Sequence, residues 1–256
     1  MTMTPGGIAG RVLRVNLSKG TIKTERPDEG FYRKYVGGRA AALRYLLSEL
    51  PAGVDPLSPE NMLVFFTGPP VGTSAMGFSR FTCAAKSPLT GGYGEGEAGG
   101  YWAPELKKAG WDGIIVEGRA ENPCYLLVRE SEVEIVDGEG VWGLRTKEAQ
   151  ERIREENGDG RLRVLQIGPA GERLVRFACI VNELRHFVGR CGLGAVMGSK
   201  NLKAIAVRGT GKVGVADPEG LKGLNRWFMD SYRGNPDVSG LSRYGTAQYI
   251  NSQNET

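Results

Sequence analysis

Histidine is nearly absent: His186 is the only one in 256 residues. Cysteine is sparse, and Cys83, Cys124, Cys179 and Cys191 lie far apart with no CxxC spacing, which excludes a zinc ribbon or a locally built iron–sulfur cluster. Lone cysteines in apolar runs such as Phe177-Ala178-Cys179-Ile180 read as buried small hydrophobes. No Gly-x-Ser-x-Gly elbow is present, so any Ser–His–Asp or Cys–His centre would depend on His186 without a recognisable nucleophile. A strong charge excess is also missing. Lys and Arg number 33 against 29 Asp and Glu, a net +4, too little to coat a nucleic acid. No apolar run approaches the roughly 20 residues of a membrane span. Met1-Thr2-Met3-Thr4-Pro5 is followed by no hydrophobic signal region. These absences predict a soluble, cytoplasmic protein with neither nucleic-acid nor membrane partners.

What is abundant is glycine, 39 residues without a Gly-X-Y period, about twice the usual share of roughly 7%. With 40% hydrophobic and 24% charged residues the chain can bury a real core, so the glycines read as tight turns and close backbone approaches. Residues 11–17 and 21–24 alternate about Ser18-Lys19-Gly20 and predict a β-hairpin. Asp28 caps a helix through Tyr35, and Arg39 to Leu50 is a second helix ending at Pro51. Strands are expected at 62–66, 80–85, 113–117, 125–129, 133–136, 162–167, 174–181 and 204–207. Helices are expected at 104–109, 146–157 and from Pro218 toward Tyr232. The fold class is α+β.

The chain also echoes itself. Gly68-Pro69, Arg80-Phe81-Thr82-Cys83 and the run Leu106 to Gly118 reappear as Gly168-Pro169, Arg176-Phe177-Ala178-Cys179 and the run Gly198 to Gly209. The echo predicts a duplicated β-rich unit with short helices, about 62–118 and 162–209, related by a pseudo-two-fold axis. A ligand that is itself two-fold would suit the seam.

Two glycine-rich loops, Thr90 to Gly100 and Val188 to Gly194, run into expected helices. Amides at a helix N-terminus, unobstructed by side chains, suit a phosphate, and Arg80 and Arg190 are placed to add charge. Neither loop is a Walker A or dinucleotide-binding motif, so a set of structural turns with surface arginines remains the competing reading. His186 reads as a hydrogen-bonding neighbour of the second loop.

At these residues the sequence resembles the N-terminal domain of the tungsten-containing aldehyde ferredoxin oxidoreductase family. The resemblance rests on residues 10–17, 55–61, 86–91, Ala98-Gly99-Gly100-Tyr101 and 189–203, in the same order over nearly the whole chain. It implies a base for a tungsten (or molybdenum) bis-pterin, in an enzyme that oxidises small aldehydes to carboxylic acids and passes electrons through a [4Fe-4S] cluster to ferredoxin. By position it implies that Arg80, Glu97, Ala98, Gly99, His186, Phe187, Gly189 and Arg190 contact the cofactor. It further implies that the backbone carbonyls of Glu97 and Phe187 bind a magnesium ion joining the pterin phosphates.

The family commonly has Asn where this chain has Glu97, and often a small or basic pair where it has His186-Phe187. A carboxylate near two phosphates is repulsive unless it turns away or binds the ion, and His186 is a weaker, pH-dependent substitute for Arg. The family's cluster cysteines and proton-transferring residues lie in helical domains beyond Thr256. Residues 1–210 are therefore expected to be the cofactor-binding domain, and 211–256 a linker and the start of a truncated helical region. No residue of the chain is assigned a catalytic role, and alone it is expected not to turn over aldehyde. It would work with the missing C-terminal domains or a second subunit, with a homodimer as one assembly. The alternative is a non-catalytic module retaining a pterin or nucleotide phosphate.

Overall fold

The computed structural model describes residues 6–255. In chain order, β1 (Val12–Asn16), β2 (Thr21–Glu25), α1 (Glu29–Tyr35), α2 (Gly38–Glu49), β3 (Leu63–Thr67), β4 (Phe81–Lys86), β5 (Tyr93–Ala98), α3 (Trp102–Lys108) and β6 (Gly113–Glu117) form a first half. A second half follows with β7 (Cys124–Arg129), β8 (Glu132–Asp137), α4 (Thr146–Glu156), β9 (Arg163–Gln166), α5 (Pro169–Glu172), β10 (Ile180–Asn182), β11 (His186–Val188), α6 (Leu193–Ser199) and β12 (Leu202–Arg208). Each half builds one six-stranded sheet. The orders are β2-β1-β6-β3-β4-β5 and β8-β7-β12-β9-β10-β11, the same arrangement twice. In both, the hairpin pairs in parallel with the last strand and every other pairing is antiparallel. The similarity thus begins at the hairpins, well before the stretches in which the sequence repeats itself.

Burial explains the layering. Leu13, Phe65, Cys83 and Ile114 from one sheet share a single apolar core with Leu126, Leu165, Ile180 and Ile205 from the other. Helices α3 and α6, seven residues each, lie in that core. Trp102 of α3 is fully buried and donates its indole N–H to the Ile205 carbonyl of β12, 3.0 Å away, so a helix of the first half is tied to the sheet of the second. The outer face of the first sheet is closed by Ala41, Ala42, Tyr45 and Leu46 of α2, with Tyr45 stacked on Phe66 at 5.8 Å. The outer face of the second is closed by Ala149 and Ile153 of α4. Period-2 strands buried on both faces need such a cover on each side. Asp28 caps α1 as expected, accepting from the Phe31 amide at 2.7 Å.

Two expected elements differ. The strand expected over 174–181 is confined to β10, because Leu174 sits at φ +56 and the Ala178 amide turns back to the Val175 carbonyl, which bends the chain out of any ladder. The loop expected at 90–100 contains β5, paired with β4 over its whole length. Its Gly94 and Gly96 are needed for closeness: a Cβ there would lie 2.8 Å from Cys191 Cβ and 2.6 Å from Val188 Cγ1.

Residues up to Thr73 with Phe78–Val215 form one compact unit, and Ser74–Gly77 with the residues from Ala216 form another. The second carries α7 (Pro218–Ser231), α8 (Pro236–Tyr244) and α9 (Ile250–Asn254), with Asp217 and Asn235 capping the first two. Among the described residues no helix is long and apolar enough to cross a membrane.

Lys200, at the end of α6, is fully buried, and its ammonium donates to the carbonyls of Asn61 (2.5 Å) and Gly118 (3.0 Å). Desolvation lowers its pKa from the ordinary 10.5 to about 7. Between those values the unfolded chain binds a proton that the folded chain does not, so folding stability should rise with pH by at most about 1.4 kcal/mol per unit. Chemical denaturation from pH 7 to 9 should show this rise. The rise should be smaller in Lys200→Met; identical slopes for the two proteins would show that Lys200 stays charged.

Candidate functional site

The outermost strands β5 and β11 of the two sheets meet along a seam, and the expected site residues gather there. Pairing registers relate the two sides. Phe65 pairs with Cys83 and Leu165 with Asn182, and Gly68-Pro69 and Gly168-Pro169 follow these strands at the same distance. In this frame Thr82 opposite Glu97 corresponds to Val181 opposite Phe187, and Phe81 opposite Ala98 to Ile180 opposite Val188. Glu97, Ala98, Gly99 and Gly100 therefore occupy the positions that Phe187, Val188, Gly189 and Arg190 occupy in the second half. The same frame corrects the echo of Arg80-Phe81-Thr82-Cys83 in Arg176-Phe177-Ala178-Cys179: Arg80 corresponds to Cys179, three residues later than the sequence match implied.

Ala98 and Val188 point into the common core, leaving only their backbone at the seam. Phe187 and Tyr101 are 52% and 64% exposed, and His186, Arg80 and Arg190 are exposed as well. Gly100, at φ +94, has no room for a side chain: a Cβ would lie 2.7 Å from Asn182 Nδ2 and 2.8 Å from His186 Cδ2. Gly99 and Gly189 are different. A Cβ would meet nothing closer than 3.5 Å at Gly99 and 4.0 Å at Gly189, and neither has the left-handed backbone that excludes other residues. The fold itself does not demand glycine at either position.

The helix N-termini are less available than the sequence implied. Glu183 accepts from the Tyr101 amide at 2.8 Å, occupying the start of α3, and the Gly194 amide at the start of α6 donates to the Ala178 carbonyl at 3.0 Å. Glu183 is held there by Arg163 at 2.7 Å, and the Arg163 guanidinium lies 4.9 Å above the Tyr101 ring. Glu183 and Leu184, with φ +49 and +64, are the central pair of a β-turn inside the three-residue loop 183–185 of this hairpin, and the Arg185 amide donates to the Asn182 carbonyl at 3.2 Å. Such turns favour Asn-Gly, so no turn signal marked this hairpin in the sequence. Candidate anion contacts therefore shift from the helix starts to the strand ends at Gly99 and Gly189.

Glu97 lies between two arginines, its oxygens 3.9 Å from Arg39 Nη2 and 4.0 Å from Arg80 Nη1. Arg39 was not among the residues singled out from the sequence. Cys83 and Cys124 are buried and Cys179 and Cys191 half-buried, all four free. Burial raises the Cys83 thiol and pushes Cys124 up to about 12, which suits inert core packing. Among the described residues no three His, Cys, Asp or Glu side chains gather into a metal-binding group.

Residues 12–209 match the aldehyde ferredoxin oxidoreductase N-terminal domain. The chain belongs to this family. It is 47% identical over 250 residues to the tungsten-containing aldehyde ferredoxin oxidoreductase of Pyrococcus horikoshii, covering 97% of this chain and 41% of that protein. It is 37% identical over 238 residues to the WOR-like subunit of an aliphatic sulfonate oxidoreductase of Pyrococcus furiosus, covering 86% of this chain and 37% of that one. Among solved structures, the active-site complex BamBC of benzoyl coenzyme A reductase with 1,5-dienoyl-CoA superposes with a TM-score of 0.89 at 38% identity, over 91% of this chain and 36% of that chain. The chain thus corresponds to the N-terminal domain of a family of oxidoreductases, with tungsten-containing relatives, and spans about two fifths of the length of the curated relatives it matches.

Proposed function

We propose that residues 1–210 form the base on which a tungsten bis-pterin lies, with the two halves related by a pseudo-two-fold axis and the cofactor across their seam. The observation that carries this is the matched pair Gly99 and Gly189, open, at equivalent ends of β5 and β11, where no neighbour requires glycine. A ligand approaching both backbones would account for them. Arg80 and Arg190 neutralise the pterin phosphates, and His186 adds a hydrogen-bond donor.

The equivalent carbonyls of Glu97 and Phe187 would hold a magnesium ion, a hard cation that takes oxygen donors and would neutralise phosphate charge. The chain contributes part of the pocket and no general acid or base. Residues 211–256 are a linker and the beginning of a helical region.

When bound, the tungsten cofactor supplies the two-electron oxidation of a small aldehyde to its acid, the electrons leaving through a [4Fe-4S] cluster to a cytoplasmic ferredoxin. The cluster and the proton-transferring groups belong to further domains or a second subunit, with a homodimer as one assembly. The four separated cysteines hold no iron.

The test uses Gly99→Ala and Gly189→Ala. Each Cβ fits its surroundings, so each variant should gain about 0.4–1 kcal/mol in folding stability through a less flexible unfolded chain. Each should nonetheless retain less pterin and tungsten when purified from a host that makes the cofactor. Stabilised variants with full cofactor content would remove these glycines from the site.

A further inference from the structure

Tyr93, Glu95 and Glu97 alternate along β5 and share one of its faces. Arg39, the second residue of α2, reaches over that face, with its Nε 2.6 Å from Glu95 Oε1 and its Nη2 3.9 Å from Glu97 Oε1. Tyr93 Oη donates to the other oxygen of Glu95 at 2.9 Å. Glu97 Oε2 faces Arg80 Nη1 at 4.0 Å. Two carboxylates and two guanidinium groups thus form one open ladder, and Glu97 is shared between an arginine beside the proposed phosphate site and one behind it. All four charged side chains retain access to water, so these pairs are weak and exchange readily.

The arrangement matters because a bare carboxylate at Glu97 would repel a phosphate and also occupy Arg80. We propose that Arg39 is a positioning residue of the cofactor site: it competes with Arg80 for the Glu97 carboxylate, turning that charge aside and leaving Arg80 free to bind phosphate. This rests on the seam being the pterin-phosphate site. It accounts for how this chain places a glutamate there: the charge is matched by an arginine from another element. Glu95, anchored by Tyr93, keeps the Arg39 guanidinium on the strand face.

The test measures calorimetric binding of magnesium pyrophosphate to the full chain purified without cofactor, together with pterin retained by protein from a cofactor-making host. Thermal unfolding monitors the fold of each variant. Arg39→Gln should bind about tenfold more weakly, the scale of one lost charge-assisted hydrogen bond. The double variant Arg39→Gln/Glu97→Gln should recover most of the loss, because removing the carboxylate frees Arg80 directly. An equal loss with and without Glu97 would make Arg39 a phosphate contact in its own right and overturn the positioning role. An unaffected Arg39→Gln beside a weakened Arg80→Ala would overturn it too, while leaving the phosphate site in place. If substitutions at Arg39, Arg80 and Arg190 all leave both measurements unchanged, the seam is not the phosphate site and both readings fall.

Discussion

Replacing Arg190 with Ala should weaken pterin binding about 10- to 150-fold, the equivalent of losing a charge-assisted bond worth roughly 1.5–3 kcal/mol. The side chain is exposed, and among the described residues it makes no ion pair or hydrogen bond, so nothing in the fold depends on it. Melting temperature of the cofactor-free variant should therefore stay near that of the parent, within about ±0.5 kcal/mol in stability. The equivalent position of the first half cannot carry an arginine, because Gly100 is packed against Asn182 and His186. On that side the proposed phosphate contact is Arg80 instead. Arg190→Lys should recover only part of the affinity, since an ammonium cannot reproduce the guanidinium fork. Normal pterin retention with a large drop in melting temperature would make Arg190 a structural residue and refute the cofactor role.

The sequence carried the first hairpin, helices α1 to α4 and α7, and most of the core strands, because these have recognisable period-2 or period-3.6 patterns or caps. It hid β5. In Tyr-Gly-Glu-Gly-Glu-Ala the inward residues are Gly94, Gly96 and Ala98, so the alternation is between large polar and very small, and it reads as a loop. The smallness is imposed by Val188 and Cys191 across the seam, a long-range fact with no local signature. The repeat was legible where Gly-Pro and the run into the last strand recur. Its register was not, since Arg-Phe-x-Cys recurs in a β-strand once and in a bent turn once. The proposed site residues on strand ends followed from the family resemblance, whereas Arg39 and Glu183 reach the seam from other elements and had no motif to announce them. The same long-range logic governs the buried charges, which composition alone does not locate.

Asp112→Ala should destabilise the chain by about 3–5 kcal/mol, a large share of the roughly 5–15 kcal/mol available to a domain. Asp112 is 1% exposed and accepts from the Gly10 amide at 2.7 Å, the Ala9 amide at 3.1 Å, the Tyr32 hydroxyl at 2.8 Å and the Lys107 ammonium. One carboxylate thereby joins the segment before β1, helix α1, helix α3 and the start of β6. Removing it strands Lys107, itself 3% exposed, without a countercharge. Burial already lowers the Lys107 pKa, and Asp112 is what holds it up. In Asp112→Asn the ammonium should titrate at still lower pH, so the unfolded chain alone binds that proton over a wider range and the variant should regain stability as pH rises. A pure packing defect would not recover with pH. Denaturant unfolding of both variants across pH 7–9 separates the two: a loss below about 1 kcal/mol, or a pH-independent one, would show that Lys107 finds water on its own. Because α3 begins one residue after Tyr101 at the seam, a loosened Lys107 should also be felt there, as reduced pterin retention in Asp112→Asn even at a pH where the fold is intact.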